Sequence, residues 1–360
     1  MNGSIVGADR TRNQRESAPS FAGSRKMEVG PALSRSFYLC FNDSEENANT
    51  RANAPMSQQR ITALDERLWQ LVLPSSPLET LSTGHLWTEG PAYFPTGDFL
   101  IWSDIPRGRM YQWIPDLGVR VLDHAANNCN GHTIDPQGRL VACEHLTRSV
   151  VRFELDGRRT VIADAFEGRR LNSPNDVIVA SDGGVWFTDP TYGIMTDYEG
   201  KRSPSEQDGC FVYRADPATG KVEAKIRSML KPNGLALSLD ERTLYVADSS
   251  ASHDAAGFHH VMAFPLGSDW QVGEGKALIT IEEGVPDGLR LDEYGNLWVS
   301  SARGVEIFAP DGCPLGIIHV PETVANLCFG GPKNNRLFIT ASTSVYAVYT
   351  AVRGAERPAR

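Results

Sequence analysis

The feature that most restricts how this chain can fold is a pattern it repeats about six times. Each copy begins with a polar residue, usually followed by glycine. It runs through a short apolar strand to a Gly- or Asp-containing turn and climbs a second apolar strand. Glu89-Gly90 leads through Gly97-Asp98 to Trp102-Ser103-Asp104, and Asn130-Gly131 through Asp135-Pro136-Gln137-Gly138 to Cys143-Glu144. Asn175-Asp176 leads through Asp182-Gly183-Gly184 to Thr188-Asp189, and Asn233-Gly234 through Asp240 to Ala247-Asp248. Asp287-Gly288 leads through Tyr294-Gly295 to Ser300-Ser301, and a weaker sixth copy runs from Ala325-Asn326 through Gly330-Gly331 to Thr340-Ala341. Period-two alternation on either side of turn residues is the signature of a β-hairpin.

Successive copies start roughly 40 to 60 residues apart, the period of a four-stranded propeller blade. The hairpin supplies two strands of each blade and the variable stretch between copies the other two. The fold expected is all-β, a six-bladed β-propeller, whose innermost strands line a central channel. Glu89, Asn130, Asn175, Asn233 and Asp287 should then converge at one mouth of that channel. At any single copy an Asn-Gly or Asp-Gly dipeptide also reads as a turn. Recurrence in register across five copies, with Asp176 replacing glycine in one, favours a shared polar site. Buried carboxylates that face each other repel unless a cation or proton lies between them. An all-oxygen set suits a hard divalent cation, Ca2+ above all, with Zn2+, Mg2+ or Mn2+ as alternatives.

The propeller is expected over residues 79–352. Residues 1–56, rich in Ser, Asn, Arg, Ala and Gly, are expected to form a disordered extension, with Met27 and Met56 as alternative later starts. Residues 57–78 read as a helix and lead-in, because Ile61, Leu64, Leu68 and Leu71 form a helical stripe. Glu79-Thr80-Leu81-Ser82-Thr83 is expected to supply the outer strand of the last blade, beside the C-terminal stretch through Ser344 to Tyr349. Mixing the two ends of the chain in one blade removes exposed edges. Residues 353–360 read as a polar tail.

Other function classes find little support. The net charge of −9 comes without a basic cluster, which argues against nucleic acid. No stretch approaches the ~18 apolar residues of a membrane span. The N-terminus lacks the apolar core of a signal peptide, so the cytoplasm is the expected compartment. The six cysteines contain no C-x-x-C pair, which removes the common zinc and redox motifs. Cys129 and Cys143 are expected as a reduced core pair. There is no G-x-S-x-G elbow and no nucleotide-binding glycine motif. A monomer or homodimer acting on a small molecule is expected.

Several strings together resemble the SMP-30/gluconolactonase family, its bacterial gluconolactonases most closely. They are Glu89-Gly90-Pro91, Asn130-Gly131-His132, Cys143-Glu144-His145, Leu171-Asn172-Ser173-Pro174-Asn175-Asp176, Phe187-Thr188-Asp189-Pro190, Pro232-Asn233-Gly234-Leu235, Pro286-Asp287-Gly288-Leu289 and Cys328-Phe329-Gly330-Gly331. The resemblance implies a six-bladed propeller that binds one divalent cation and hydrolyses sugar lactones. It places metal ligands at Glu89, Asn233 and Asp287, with Asn175 at or beside the metal and near substrate. The animal branch, regucalcin, carries an Arg two residues before the third-blade Asn, where this chain has Ser173, so that branch's substrate preference does not carry over.

For such a site Asp287 is the expected catalytic base, able to touch both metal and water, or else a ligand only. Glu89 would neutralise charge. His132 and His145 read either as alternative bases or as wall residues that orient substrate. With Asn130, Asn175, Asp189 and Tyr192 they make up the expected substrate-binding set. Asp104 and Asp248, at matching strand ends, read as structural. A hydrolase of other esters or of phosphotriesters on the same site, and a metal-binding propeller without turnover, are the competing functions.

Overall fold

The computed structural model describes residues 60–355, and among these six antiparallel sheets follow one another along the chain as blades. Their innermost strands are Thr88–Phe94, Cys129–Ile134, Val177–Val179, Pro232–Leu237, Leu289–Leu291 and Val324–Gly330. Each pairs with the next strand in sequence, as the hairpin pattern requires. The six-bladed propeller is thus the observed architecture. Bulky second-strand side chains such as Trp102, Trp186 and Trp298 are fully buried. Stacked apolar layers between blades hold the ring, as burial of this much ring surface would predict.

Glu79–Thr83 pairs with Ser344–Tyr349 and closes the sixth blade. The short helix expected before the first blade, within the helix and lead-in of 57–78, is present but shorter than its apolar stripe implied. Ile61–Ala63 is instead a fifth strand of blade five, paired antiparallel with Gly316–Ile318. Only Glu66–Gln70 coils, as one 3-10 turn capped by the Asp65 carboxylate, which accepts from the Arg67 amide. The apolar spacing misled because Leu64 belongs to no buried stripe and is 57% exposed, whereas Leu68 is fully buried against blade five. β-Branched Ile61 and Thr62 favour the strand. The start of the expected tail is also pinned: Gly354 N donates to Asn334 O (2.8 Å) and Ala355 N to Leu291 O (2.9 Å). The extension expected over 1–56 and the tail residues 356–360 lie outside the described residues.

In the four blades where glycine follows the first polar residue, it serves close approach between blades. Gly131 N donates to Asn175 O (2.8 Å), Gly234 N to Asp287 O (3.0 Å) and Gly288 N to Ala325 O (2.8 Å). A Cβ on Gly90, Gly131, Gly234 or Gly288 would collide with the neighbouring inner strand. The ladder also slips at this point in four blades, between Glu89 and Ala92, Cys129 and His132, Pro232 and Leu235, and Val324 and Asn326. Bulges of this kind re-aim a side chain. Glycine and bulge together are why the preceding polar residues leave the sheet plane and gather at the channel. Among the described residues no helix is long and apolar enough to cross a membrane.

Candidate functional site at the channel mouth

Glu89 and Asp287 dominate the electrostatics of the mouth. Glu89 is buried, and its Oε2 accepts from the Gly90 amide and from Asn326 Nδ2 (3.0 Å). Burial first, and then the neighbouring Asp176 charge, raise its carboxyl to about 8 against those bonds and Arg290. Asp287 keeps partial solvent contact. Its carboxyl is pushed well above the usual range by burial, then by Glu89, Asp176 and Glu199, while a hydrogen bond with Asn233 opposes the shift. The two first-position carboxylates thus feel each other across the channel, with the Asn233 amide beside one of them. Asn130, Asn175 and Asn233 are buried alongside.

Among the described residues no three His, Cys, Asp or Glu side chains come together as a metal cage by themselves. A cation bound here would need amide or main-chain oxygens besides these carboxylates. The donor chemistry fits a hard cation, since every candidate is a carboxylate or amide oxygen and two of the carboxylates lack a countercharge of their own.

The two histidines are committed elsewhere. His132 Nδ1 lies 2.7 Å from Gly90 O, an acceptor, so that nitrogen carries the proton. His145 Nδ1 likewise donates to the main-chain oxygen of Glu199 (3.0 Å). Its Nε2 then accepts from Asn130 Nδ2 (3.2 Å), which turns the Asn130 oxygen away from the imidazole. Burial lowers both rings to about 4, so they are neutral near pH 7. This arrangement favours the wall role over the base role.

Asp189 does not stand with the mouth residues. It is fully buried beneath the loop before its own inner strand, with Oδ2 accepting from Asn172 N (2.8 Å). Asp104 accepts from the amides of Leu86 and Trp87, and Asp248 from those of Leu230 and Lys231. The three carboxylates repeat one device, a strand end tying down the loop that enters the blade. Ser173 is also internal, donating to Pro190 O (2.7 Å) and accepting from Gly193 N (3.0 Å). That pair of bonds fixes the turn carrying Tyr192, which remains partly exposed with its hydroxyl 3.4 Å from Ser249 O. Burial raises the Tyr192 phenol, and the charges of Asp287 and Asp248 add to it.

Three contributors escaped the sequence pattern. Glu199 lies in the loop between the second and third strands of blade three, where no repeat register exists. Burial raises its carboxyl to about 7. Asn326 and Arg290 sit in the inner strands of the last two blades, one position after Ala325 and three after Asp287. The signal that could have found Asn326, like Asp176, is the loss of glycine at the second position of its copy. Deeper in the channel, a cavity of about 380 Å³ is lined by Ala92, Thr133, Ile178, Ala236, Arg290 and Cys328 among others. It is mostly apolar and lacks the mouth's oxygen donors.

The family model of the SMP-30/gluconolactonase/LRE-like region matches residues 87–343. A gluconolactonase of Zymomonas mobilis is 32% identical over 319 residues, covering 82% of this chain and 87% of its own. The pentonolactonase XacC of Haloferax volcanii is 28% identical over 265 residues, covering 71% of this chain and 81% of its own. Among solved structures, a gluconolactonase of Xanthomonas campestris superposes with a TM-score of 0.75 at 35% identity, over 81% of this chain and 94% of its own. With the repeat, the closed ring of blades and the oxygen-lined mouth, this match places the chain in the SMP-30/gluconolactonase/LRE-like family.

Proposed function

We propose that the protein hydrolyses sugar lactones at the channel mouth, using a divalent cation, Ca2+ above all. Glu89, Asn233 and Asp287 would hold it, with Asn175 at its side. The observation that carries this reading is the pair of carboxylates at one mouth, Glu89 raised to about 8 by burial and by Asp176, and Asp287 pushed well above the carboxylate range by burial and by Glu89. Such a pair calls for positive charge between its members. The names of two relatives, a gluconolactonase and a pentonolactonase, support the substrate class.

When bound, the cation supplies Lewis acidity to the lactone carbonyl and to water. Asp287, ionised beside it, takes a water proton as the water oxygen bonds to the carbonyl carbon. The ring C–O bond then breaks, and the alkoxide leaving group would take that proton back from Asp287, which returns to its ionised form. Asn130, its oxygen freed by the His145 contact, and Asn175 accept hydrogen bonds from sugar hydroxyls, and Tyr192 forms part of the wall. His132 and His145 stay neutral and orient these groups.

Ring opening gives a hydroxy acid and releases a proton near neutral pH, so a pH indicator follows it directly. Aldonolactones offered to the full chain should be hydrolysed, the rate should vanish with chelator, and added Ca2+ should restore it. Equal rates with and without chelator, in protein shown metal-free by elemental analysis, would overturn the cation; no turnover across five- and six-carbon lactones would overturn the substrate class.

A further inference from the structure

Glu199 is a half-buried acid to which the reaction above gives no task. It lies in the loop between Val185–Asp189 and Phe211–Asp216, the second and third strands of blade three. Two glycines let that loop press against blade two. A Cβ on Gly193 would collide with the His145 side chain, and one on Gly200 with Gly193 O. The main chain closes over this contact, with Lys201 N donating to Gly193 O (3.1 Å) and Ser203 N to Ile194 O (3.1 Å). Glu199 is therefore carried on a braced loop, and its place beside His145 is set before any ligand arrives.

Its main chain and its side chain do different things. The main-chain oxygen accepts from His145 Nδ1 (3.0 Å), which leaves His145 Nε2 to accept from Asn130 Nδ2 (3.2 Å). The carboxylate sits by the same ring, with Oε2 4.0 Å from Nδ1, but that proton is already given to the main chain. Among the described residues no other donor or cation reaches the Glu199 carboxyl, and burial raises it to about 7 with no hydrogen bond to offset the shift. The His145 side chain is sealed, whereas 27% of the Glu199 side chain stays open. An acceptor held in place, partly withdrawn from water and given no donor by the protein leaves its hydrogen bonds for a ligand to make.

We propose that Glu199 is a specificity residue of the lactone site, accepting hydrogen bonds from sugar hydroxyls alongside the Asn130 oxygen. The two acceptors flank one neutral imidazole, which links them. A polyhydroxylated lactone supplies donors to both. A lactone without hydroxyls supplies none and leaves the carboxyl unpaired. Sites built to hydrogen-bond a substrate hydroxyl discriminate strongly against analogues that lack it. Preference for polyol lactones over plain ones then resides partly in a loop outside the repeat. This inference rests on the lactone reading of the mouth and is independent of which cation it holds.

Steady-state kinetics of the full chain on glucono-δ-lactone and on δ-valerolactone, the same ring without hydroxyls, test it. Glu199→Ala keeps the main-chain oxygen that holds His145, so Asn130 stays oriented. It should raise KM for glucono-δ-lactone by about tenfold or more, the weight of a lost hydrogen bond to a charged group, with kcat nearly unchanged. Its kcat/KM for δ-valerolactone should stay level or rise. Glu199→Gln keeps one acceptor oxygen and should lose less; it carries the test should Glu199→Ala fail to fold. Should the unaltered protein not open δ-valerolactone, the split between KM and kcat on glucono-δ-lactone decides alone. If the unaltered protein opens neither lactone, the lactone reading falls and this inference with it. If it opens glucono-δ-lactone but the variants leave that KM unchanged, lower kcat alone, or weaken both lactones by one factor, the inference alone falls and Glu199 is only a brace of its loop.

Discussion

Asp287 and Asn233 are neighbours that the reading above gives different work, and substitution can separate them. Asp287→Asn keeps the size and one oxygen ligand but loses basicity. Cation binding should survive while kcat falls by about 10² or more, the usual contribution of a positioned base. Asn233→Ala removes a ligand without touching proton chemistry, so its activity should return at high cation concentration. Steady-state kinetics at saturating Ca2+ distinguish the two, and full rescue of Asp287→Asn would reduce Asp287 to a ligand. The same carboxyls predict how stability depends on pH. Glu89 is raised from 4.5 to about 8 in the folded chain. Between those values the folded state binds the proton that the unfolded state has released. Chelated protein should therefore lose stability as pH rises from about 5 through 8, because the slope follows the protons bound by the unfolded minus the folded state. Thermal melts in chelator should show a falling Tm over that window, flattened in Glu89→Gln. A flat profile in the unaltered chelated protein would contradict a Glu89 carboxyl raised by burial and by the Asp176 charge.

At the scale of the element, the inner strand does two jobs with two adjacent residues: a polar side chain turned into the channel and a glycine that lets the next blade close in. Gly288 shows how tightly the jobs are joined. A Cβ there would overlap the Asn326 side chain, which holds Glu89, while the Gly288 amide donates to Ala325 O. Gly288→Ala should lower Tm and weaken cation binding together, by about 1–3 kcal/mol of stability for an overpacked site. Calorimetry on the same sample measures both, and unchanged cation affinity would show that the strand spacing does not set the mouth. This element was legible in the sequence because period-two alternation and the recurring polar position both survive without an alignment. What was legible only in part was the meaning of the glycines, which as dipeptides carry an ordinary turn signal. The fate of the histidines was also hidden, since Gly90 O and Glu199 O come from a neighbouring inner strand and from a loop outside the repeat. Asp189 looked like a pocket residue because its strand ends toward the mouth. Its burial follows from a tie to Asn172 that only the folded loop reveals.

Across the whole molecule, the ring is closed by segments that lie far apart in sequence, and this decides which N-terminal truncations the fold tolerates. Glu79–Thr83 is hydrogen-bonded along Ser344–Tyr349, and Arg336 bridges to Glu79 at 2.7 Å. Before that strand, Leu68, Leu71 and Val72 are buried in the core layer between the last two blades, and Ile61–Ala63 extends blade five. Residues 60–78 are therefore built into the propeller with the expected strand at 79–83, although the helical stripe pointed to a separate element. Removing them would open the sixth blade at its edge and uncover apolar side chains of both blades, which invites association through the bare strand. A chain begun at Met56 should accordingly keep the melting temperature, cation affinity and lactone turnover of the full chain. A chain begun at Gly84 should aggregate or melt far lower, since the buried Leu68, Leu71 and Val72 at about 1.5–3 kcal/mol each together rival the net stability of an ordinary domain. Size-exclusion chromatography and thermal melts on the two truncations decide the matter. A stable, monomeric and active chain begun at Gly84 would mean that the ring does not depend on its mixed closing strand.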